Sequence, residues 1–308
     1  MVASLSGLAY RLGEPTTLHE LTDRGLTAEQ ASLLHERGQR VCPVASSEVE
    51  LVAAAIAQTL MEAGGEARTV DRVLIATGYA LVGGDGDEQE RMRARLCGLL
   101  ADLGLGHAPL TIVAMSGCAA GITIAEYATL LVDSGASRRV LVVAVDRVPD
   151  GESRMLPPSV SVLADGAASC IVGPGPGLRL QWVRRRGFLD SLGLKPDVDF
   201  GPALVRLGRC LRALGHELQA EETARDALLL CNNYGLPTIR LFGRTLGVPD
   251  ERTFTANVPV VGHLGTADPL VNLAEAVGTA DEFLVLATGP ADCALALVSK
   301  QEEPDVDS

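Results

Sequence analysis

Short apolar runs along the chain alternate with longer stretches in which apolar positions recur every three or four residues, a pattern that predicts strands alternating with helices. Ala3 to Leu12 reads as a first strand, Thr27 to Arg37 as a short amphipathic helix, and Ser47 to Ala63 as a longer one with Glu48 and Glu50 in its first turn. Arg72 to Tyr79 is the next strand. Gly83-Gly84-Asp85-Gly86-Asp87 is a turn cluster leading into a charged helix, Glu88 to Leu103. Leu110 to Ala114 reads as a buried strand, Ser116-Gly117 as a turn, and Ala119 to Val132 as a helix of small residues. Val140 to Val145 is continuously apolar, as in a strand covered on both faces. Val160 to Ala164 and Ala167 to Val172 predict a hairpin turning at Asp165-Gly166. The run Gly173-Pro174-Gly175-Pro176-Gly177 then breaks the pattern and divides the chain into halves, 1–175 and 176–308.

The second half repeats the grammar of the first. RVLIATGYA (Arg72 to Ala80) matches ALLLCNNYG (Ala227 to Gly235) in pattern, which sets Asn232 and Asn233 at a strand end. Val261 to Gly289 repeats the turn, small-residue helix and apolar strand found around Cys118, with Gly262-His263 standing where Gly117-Cys118 stood. If the halves pack about a pseudo-twofold axis, the strand ends carrying Cys118, Asn232 and His263 converge on one pocket.

Composition narrows the class. An apolar fraction of 47% with 3% aromatics implies a core of Ala, Val, Leu and Ile, usual for an α/β protein. A net charge of -13 disfavours nucleic acid, and Arg184-Arg185-Arg186 is the longest basic run, a weak candidate for docking an acidic carrier protein. The 7 cysteines are scattered without a C-x-x-C pair, which fits a reduced, cytoplasmic protein and offers no zinc site. No apolar run is long enough to cross a membrane, and the first residues lack the features of a signal peptide.

Cys118 is the candidate nucleophile. A cysteine in an Ala-rich segment is ordinarily an inert core residue, but this one sits at a helix N-terminus, where unpaired N–H groups favour a thiolate and can hold a developing oxyanion.

The Cys-centred strand-turn-helix, the VLADGAAS segment and the G-x-x-x-x-D element with AEAV in its helix together resemble the thiolase fold, and within it the β-ketoacyl-ACP synthase III branch. The resemblance runs nearly end to end. It implies an α/β thiolase-like fold of two duplicated βαβαβαββ halves with pseudo-twofold symmetry, layered α-β-α-β-α. It further implies a homodimer and a Cys acylated from CoA or acyl carrier protein, assisted by a His and an Asn. Where that family has its His, this chain has Asn232, and where it has its Asn, this chain has His263. Gly289 occupies a position resembling the glycine that completes the family's oxyanion hole, although Pro290 beside it lacks an N–H. Asn233 is a further candidate for binding substrate.

Two roles stay open for the partners of Cys118. Asn and imidazole can both donate to a thioester carbonyl, which preserves decarboxylative condensation of a malonyl thioester. A His beside Cys118 with Asp268 as its orienter instead makes an acyltransferase, in which the base deprotonates an incoming acceptor. Asp268 precedes Pro269, so it can equally cap a helix. The exchanged pattern resembles an offshoot of the branch that transfers acyl groups to small acceptors in natural-product pathways, and transfer is the favoured expectation. A catalytically silent subunit is a third reading. No cofactor is expected beyond the phosphopantetheine or CoA thioester of the substrate. The family's Trp that flanks the CoA adenine has no aromatic counterpart in LTAEQASLLHERGQRVCPV, which points to a carrier-bound donor.

Overall fold

The computed structural model describes residues 2–78, 86–114, 117–156, 160–191, 194, 199–221 and 224–301 of the 308. Tyr79, Ser116 and Gly83 to Asp85 of the expected strand end and turns lie outside the described residues.

In chain order, β1 (Ser4–Leu12) and the short β2 (Glu14–Thr17) precede α1 (Ala28–Glu36). This helix opens on a capping box, Thr27 accepting from the Gln30 N–H while the Gln30 side chain accepts from the Thr27 N–H. β3 (Val41–Val44) pairs with β2, and α2 (Glu48–Glu62) starts at Ser47, whose hydroxyl accepts from the Glu50 N–H. There follow β4 (Arg72–Thr77), α3 (Gly86–Asp102), β5 (Leu110–Ala114), α4 (Ala120–Asp133) and β6 (Val140–Asp146). The small pair β7 (Met155–Leu156) and β8 (Ser161–Val162) leads to β9 (Gly166–Gly173). The remainder comprises β10 (Leu178–Gly187), α5 (Phe200–Gln219), β11 (Leu228–Cys231), α6 (Leu236–Leu246), α7 (Asp268–Ala276), β12 (Glu282–Thr288) and β13 (Asp292–Lys300).

Nine strands run in the order β11-β12-β13-β10-β1-β9-β6-β4-β5, and β1 and β10 join the two halves where Leu5 faces Leu178. β4 is parallel to β5 and β6, and β11 is parallel to β12. Strand alternation sorts the core into layers. Val140, Val142 and Ala144 of β6 face a central layer that holds Ala120, Ile124 and Ala128 of α4 and Leu270 and Val271 of α7. Leu141, Val143 and Val145 face the opposite way, onto Val52 and Ile56 of α2 and Leu96 of α3. The second half mirrors this, with Val285 of β12 turned to the central layer and Leu284 and Leu286 turned to Leu214 of α5 and Phe242 of α6. The result is α-β-α-β-α, in which α4 and α7 form the middle layer and bring the first turns of both halves together.

Two expectations need correction. Residues 160–172 do not form a hairpin, because β8 pairs back onto β7 while β9 lies antiparallel between β1 and β6. Asp165 is accordingly not a turn residue. Its fully buried carboxylate accepts from the N–H groups of Ala45 (2.7 Å) and Val148 (2.9 Å) and from both terminal nitrogens of Arg154 (2.9 and 2.8 Å). β10 and α5 had no counterpart in the apolar pattern. In β10 the reason is Arg184 to Arg186, which pair with Glu221, Glu126 and Glu217 of the flanking α5 and α4 segments. The same pairings remove this run as a free basic surface for a carrier protein.

Candidate active site

The chain turns sharply after β5. Gly117 has φ 55°, and a Cβ there would stand 2.4 Å from Cδ of Pro290, so both conformation and space require glycine. Cys118 follows in a single 3-10 turn, Gly117–Ala119, that runs into α4, and it is half-buried. The second half repeats the device: Gly262 has φ 66° and precedes His263. The backbone of His263 is held on both sides, its N–H donating to Val162 O and its carbonyl accepting from the Ala164 N–H, each at 2.9 Å. β8 and the residues after it thus fix where the imidazole can point.

The two turns bring Sγ of Cys118 to 3.1 Å from Nε2 of His263, and Nδ1 of His263 lies 2.5 Å from Oδ2 of Asp268. His263 is 2% exposed and Asp268 0%. Asp268 is the first residue of α7, with Ala267 as the N-cap, so it does not cap the helix in the expected way. Its carboxylate turns back instead. Oδ1 accepts from the Leu264 N–H and from Asn233 Nδ2, both at 2.9 Å, and Oδ2 accepts from the Asn233 N–H (3.0 Å) and Asn232 Nδ2 (3.3 Å). A buried carboxylate so supplied with donors is fixed in place. Burial opposes a charge on His263, but the facing Cys118 sulfur and the Asp268 carboxylate outweigh it and hold the imidazole well above its ordinary range.

Asn232 and Asn233 sit behind this group and do not line the cavity. Their amides are spent on Asp268, and Oδ1 of Asn232 accepts from the Thr288 N–H at 2.8 Å. Asn232 therefore does not reach the thiol as the pattern of the second half suggested, and Asn233 does not contact substrate space. Gly289 does line the cavity, yet its N–H donates to Asp292 O at 2.8 Å within the tight β12–β13 connection and is not available as an oxyanion donor. His19, His35, His107 and His216 are exposed.

Sequence reasoning missed two residues on the cavity wall. The Tyr234 ring lies against the His263 imidazole, centroids 4.9 Å apart, and its hydroxyl bonds to the carbonyl (3.1 Å) and hydroxyl (2.9 Å) of Thr288. Burial first, then the Cys118 sulfur, push its phenol well above the ordinary range, so it remains neutral. Asp146, at the end of β6, accepts from the N–H groups of Gly78 (2.5 Å) and Thr266 (2.6 Å) and so ties the first half to the turn between His263 and Asp268. A lone acid ending an apolar run was the one available signal.

The thiol opens into a cavity of about 620 Å³ whose wall is mainly apolar. Among the described residues, no cluster of His, Cys, Asp and Glu can hold a metal ion, and no helix is long and apolar enough to cross a membrane.

No family model and no curated protein matches the sequence. Solved structures do share the architecture. The chain is similar to ChlB3, described as an acyltransferase, with a TM-score of 0.79 at 19% identity over 97% of this chain and 98% of that one. It is similar to 3-oxoacyl-[acyl-carrier-protein] synthase III of Aquifex aeolicus (TM-score 0.77, 17% identity, 96% and 99% covered). It is also similar to acetamide-bound OleA of Xanthomonas campestris (TM-score 0.76, 16% identity, 97% and 99% covered). At these identities the likeness establishes the fold, which is the thiolase fold expected from the sequence.

Proposed function

We propose that the protein is a thioester-dependent acyltransferase that loads an acyl group onto Cys118 from acyl carrier protein or CoA and passes it to a small-molecule acceptor. The observation that carries this reading is the Cys118–His263–Asp268 chain, in which His263 is oriented by a carboxylate while both neighbouring asparagine amides face that carboxylate and not the thiol. Decarboxylative condensation calls for two donors at the thioester carbonyl. Among the described residues the imidazole is the side-chain donor that reaches the sulfur. Transfer needs the base that this arrangement supplies.

In the loading step the Cys118 proton passes to Nε2 of His263 as the sulfur attacks the donor carbonyl carbon, and the imidazolium gives it to the departing thiolate as the donor C–S bond breaks. The Cys118 N–H, in the turn that runs into α4, meets the oxyanion in this mechanism. In the second step His263, now neutral, takes a proton from an acceptor hydroxyl or amine at Nε2 as that group attacks the acyl-Cys118 carbonyl. Collapse of the adduct returns the proton to sulfur and frees the product. Asp268 keeps Nδ1 protonated throughout and stabilises the imidazolium.

A homodimer accompanies this reading. β5 ends the sheet, and α4 beside it exposes Tyr127 (50%) and Leu130 (59%), an apolar edge suited to a second copy.

Intact-protein mass after mixing with acyl-CoA and acyl-carrier thioesters, in the native protein and in Cys118→Ala, tests the proposal. An adduct lost in the variant and discharged by an acceptor supports transfer. Discharge by malonyl thioester with release of CO₂ would assign condensation, and no adduct from any donor would indicate a silent subunit.

A further inference from the structure

Five buried residues of the site close into a circuit of contacts: His263, Asp268, Asn232, Thr288 and Tyr234. Nδ1 of His263 meets Oδ2 of Asp268, that oxygen accepts from Asn232 Nδ2, and Oδ1 of Asn232 accepts from the Thr288 N–H at 2.8 Å. The Thr288 carbonyl accepts from the Tyr234 hydroxyl at 3.1 Å, and the Thr288 hydroxyl lies 2.9 Å from the same phenol oxygen. The Tyr234 ring then returns to the imidazole, centroids 4.9 Å apart, in the range of paired rings. Asn232 and Tyr234, two residues apart after β11, thus hold Thr288 at its N–H and at its carbonyl.

Tyr234 is fixed within this circuit. Its own N–H donates to Asn232 O at 2.7 Å, and the Gly235 N–H donates to Val160 O at 2.9 Å. Its ring also meets Phe242 of α6 edge-on, centroids 6.0 Å apart and planes at 88°.

In the resting protein the imidazole is held at both nitrogens, Nε2 by Cys118 at 3.1 Å and Nδ1 by Asp268. In the proposed acyl-enzyme the sulfur belongs to a thioester, with neither proton nor charge, so the Nε2 end loses that partner. An imidazole tethered through Nδ1 alone can rock about its hydrogen bond, and a small misplacement of a base costs rate steeply. The contact with the neutral Tyr234 ring does not depend on the state of the sulfur.

Resting on the acyltransferase reading, we infer that Tyr234 is a positioning residue that keeps Nε2 of His263 aimed at the reacting carbonyl while Cys118 is acylated, acting through its ring and anchored by Thr288. Its effect falls on discharge more than on loading, because in loading the sulfur still holds the imidazole.

Single-turnover loading and discharge, measured separately, test this in the native protein, Tyr234→Leu and Tyr234→Phe. Tyr234→Leu removes the ring and is expected to slow discharge about 10- to 100-fold and loading by no more than about threefold. Tyr234→Phe keeps the ring without its anchor and is expected to recover most of the discharge rate. A general loosening of the fold would slow both steps alike. Equal slowing of the two steps, discharge at the native rate in a folded Tyr234→Leu protein, or a Phe variant no faster than the Leu variant would each overturn the inference. A second measurement does not use activity. In Cys118→Ala, which like acylation takes the thiol from Nε2, proton NMR follows the Nδ1 proton of His263, assigned by its loss in His263→Gln. Adding Tyr234→Leu is expected to speed exchange of that proton with water about tenfold or more, and adding Tyr234→Phe much less. Unchanged exchange would overturn the inference. Faster exchange with no adduct on the native Cys118 from any donor would instead overturn the acyltransferase reading and leave the positioning of His263 by Tyr234 standing.

Discussion

Nδ1 of His263 lies 2.5 Å from Oδ2 of Asp268, a carboxylate with no exposure to solvent that also receives four N–H donors from Leu264, Asn232 and Asn233. Both of its oxygens are needed as acceptors. An amide offers only one, so Asp268→Asn must turn an NH₂ toward groups that themselves donate. The variant is expected to lose about 10² to 10⁴ in the rate of discharge of the acyl-enzyme. It is also expected to lose about 1–3 kcal/mol of stability from donors left unpaired. Single-turnover kinetics and denaturant unfolding read the two effects, and an unaltered discharge rate would reduce Asp268 to a structural residue.

The raised pKa of His263 fixes the sign of the pH dependence. Burial works against the charge, but Cys118 and Asp268 prevail, so the folded value stands above the unfolded one. The stability this brings is complete below the ordinary histidine range, about 6.5, and is lost as pH rises through the raised folded value. The difference in unfolding free energy between the native protein and His263→Gln should therefore be flat on the acid side and shrink with increasing pH. Discharge to an acceptor needs the neutral imidazole; acylation takes away the Cys118 charge that raises His263, so discharge should rise with pH over a window below that of the free enzyme. A gap that widens with pH would contradict the assignment.

How much of this was legible depended on sequence separation. The turn at Gly117-Cys118, the two-faced burial of β6 and the matching Gly262-His263 are local patterns, and each was readable from spacing alone. Asp146 meets Thr266 across 120 positions, and Asp165 meets Arg154 only because β8 folds back onto β7. Neither pairing leaves a periodic trace. Asn232 and Asn233 were the right residues at the right strand end, but their direction is set by Asp268 on another helix, which no pattern within NNYG records.

The cysteines should divide by burial when native protein is alkylated near neutral pH. Burial pushes the thiols of Cys42, Cys170, Cys231 and Cys293 up to about 12, whereas Cys97 is exposed and Cys118 and Cys210 are half-buried. Peptide mapping after iodoacetamide treatment is expected to find label on the last three in the folded state and on all 7 cysteines once unfolded. Prior loading with an acyl donor should protect Cys118 alone. Label at Cys170 or Cys231 in the folded state would contradict the packing of the central layer and its neighbours.

The Arg154–Asp165 pair links stability to the position of His263. Burial disfavours the Arg154 charge, yet Asp165 restores it and holds the guanidinium above its ordinary range, and Arg154 also donates to Leu163 O at 3.1 Å. Leu163 lies in the segment whose backbone clamps His263. Asp165→Ala strands a buried guanidinium together with the N–H groups of Ala45 and Val148, and is expected to cost about 3–5 kcal/mol. Arg154→Met combined with Asp165→Asn removes both charges and leaves an acceptor for one of those N–H groups, since Ala45 and Val148 donate to different oxygens. The double variant should therefore be more stable than the sum of its single costs predicts, by a coupling of about 0.5–3 kcal/mol. If the pair acts through the clamp, acyl-enzyme discharge measured well below the unfolding transition should slow in Asp165→Ala and recover in part in the double variant. Additive stabilities with discharge rates equal to the native protein's would show that the pair supports the fold without setting the imidazole.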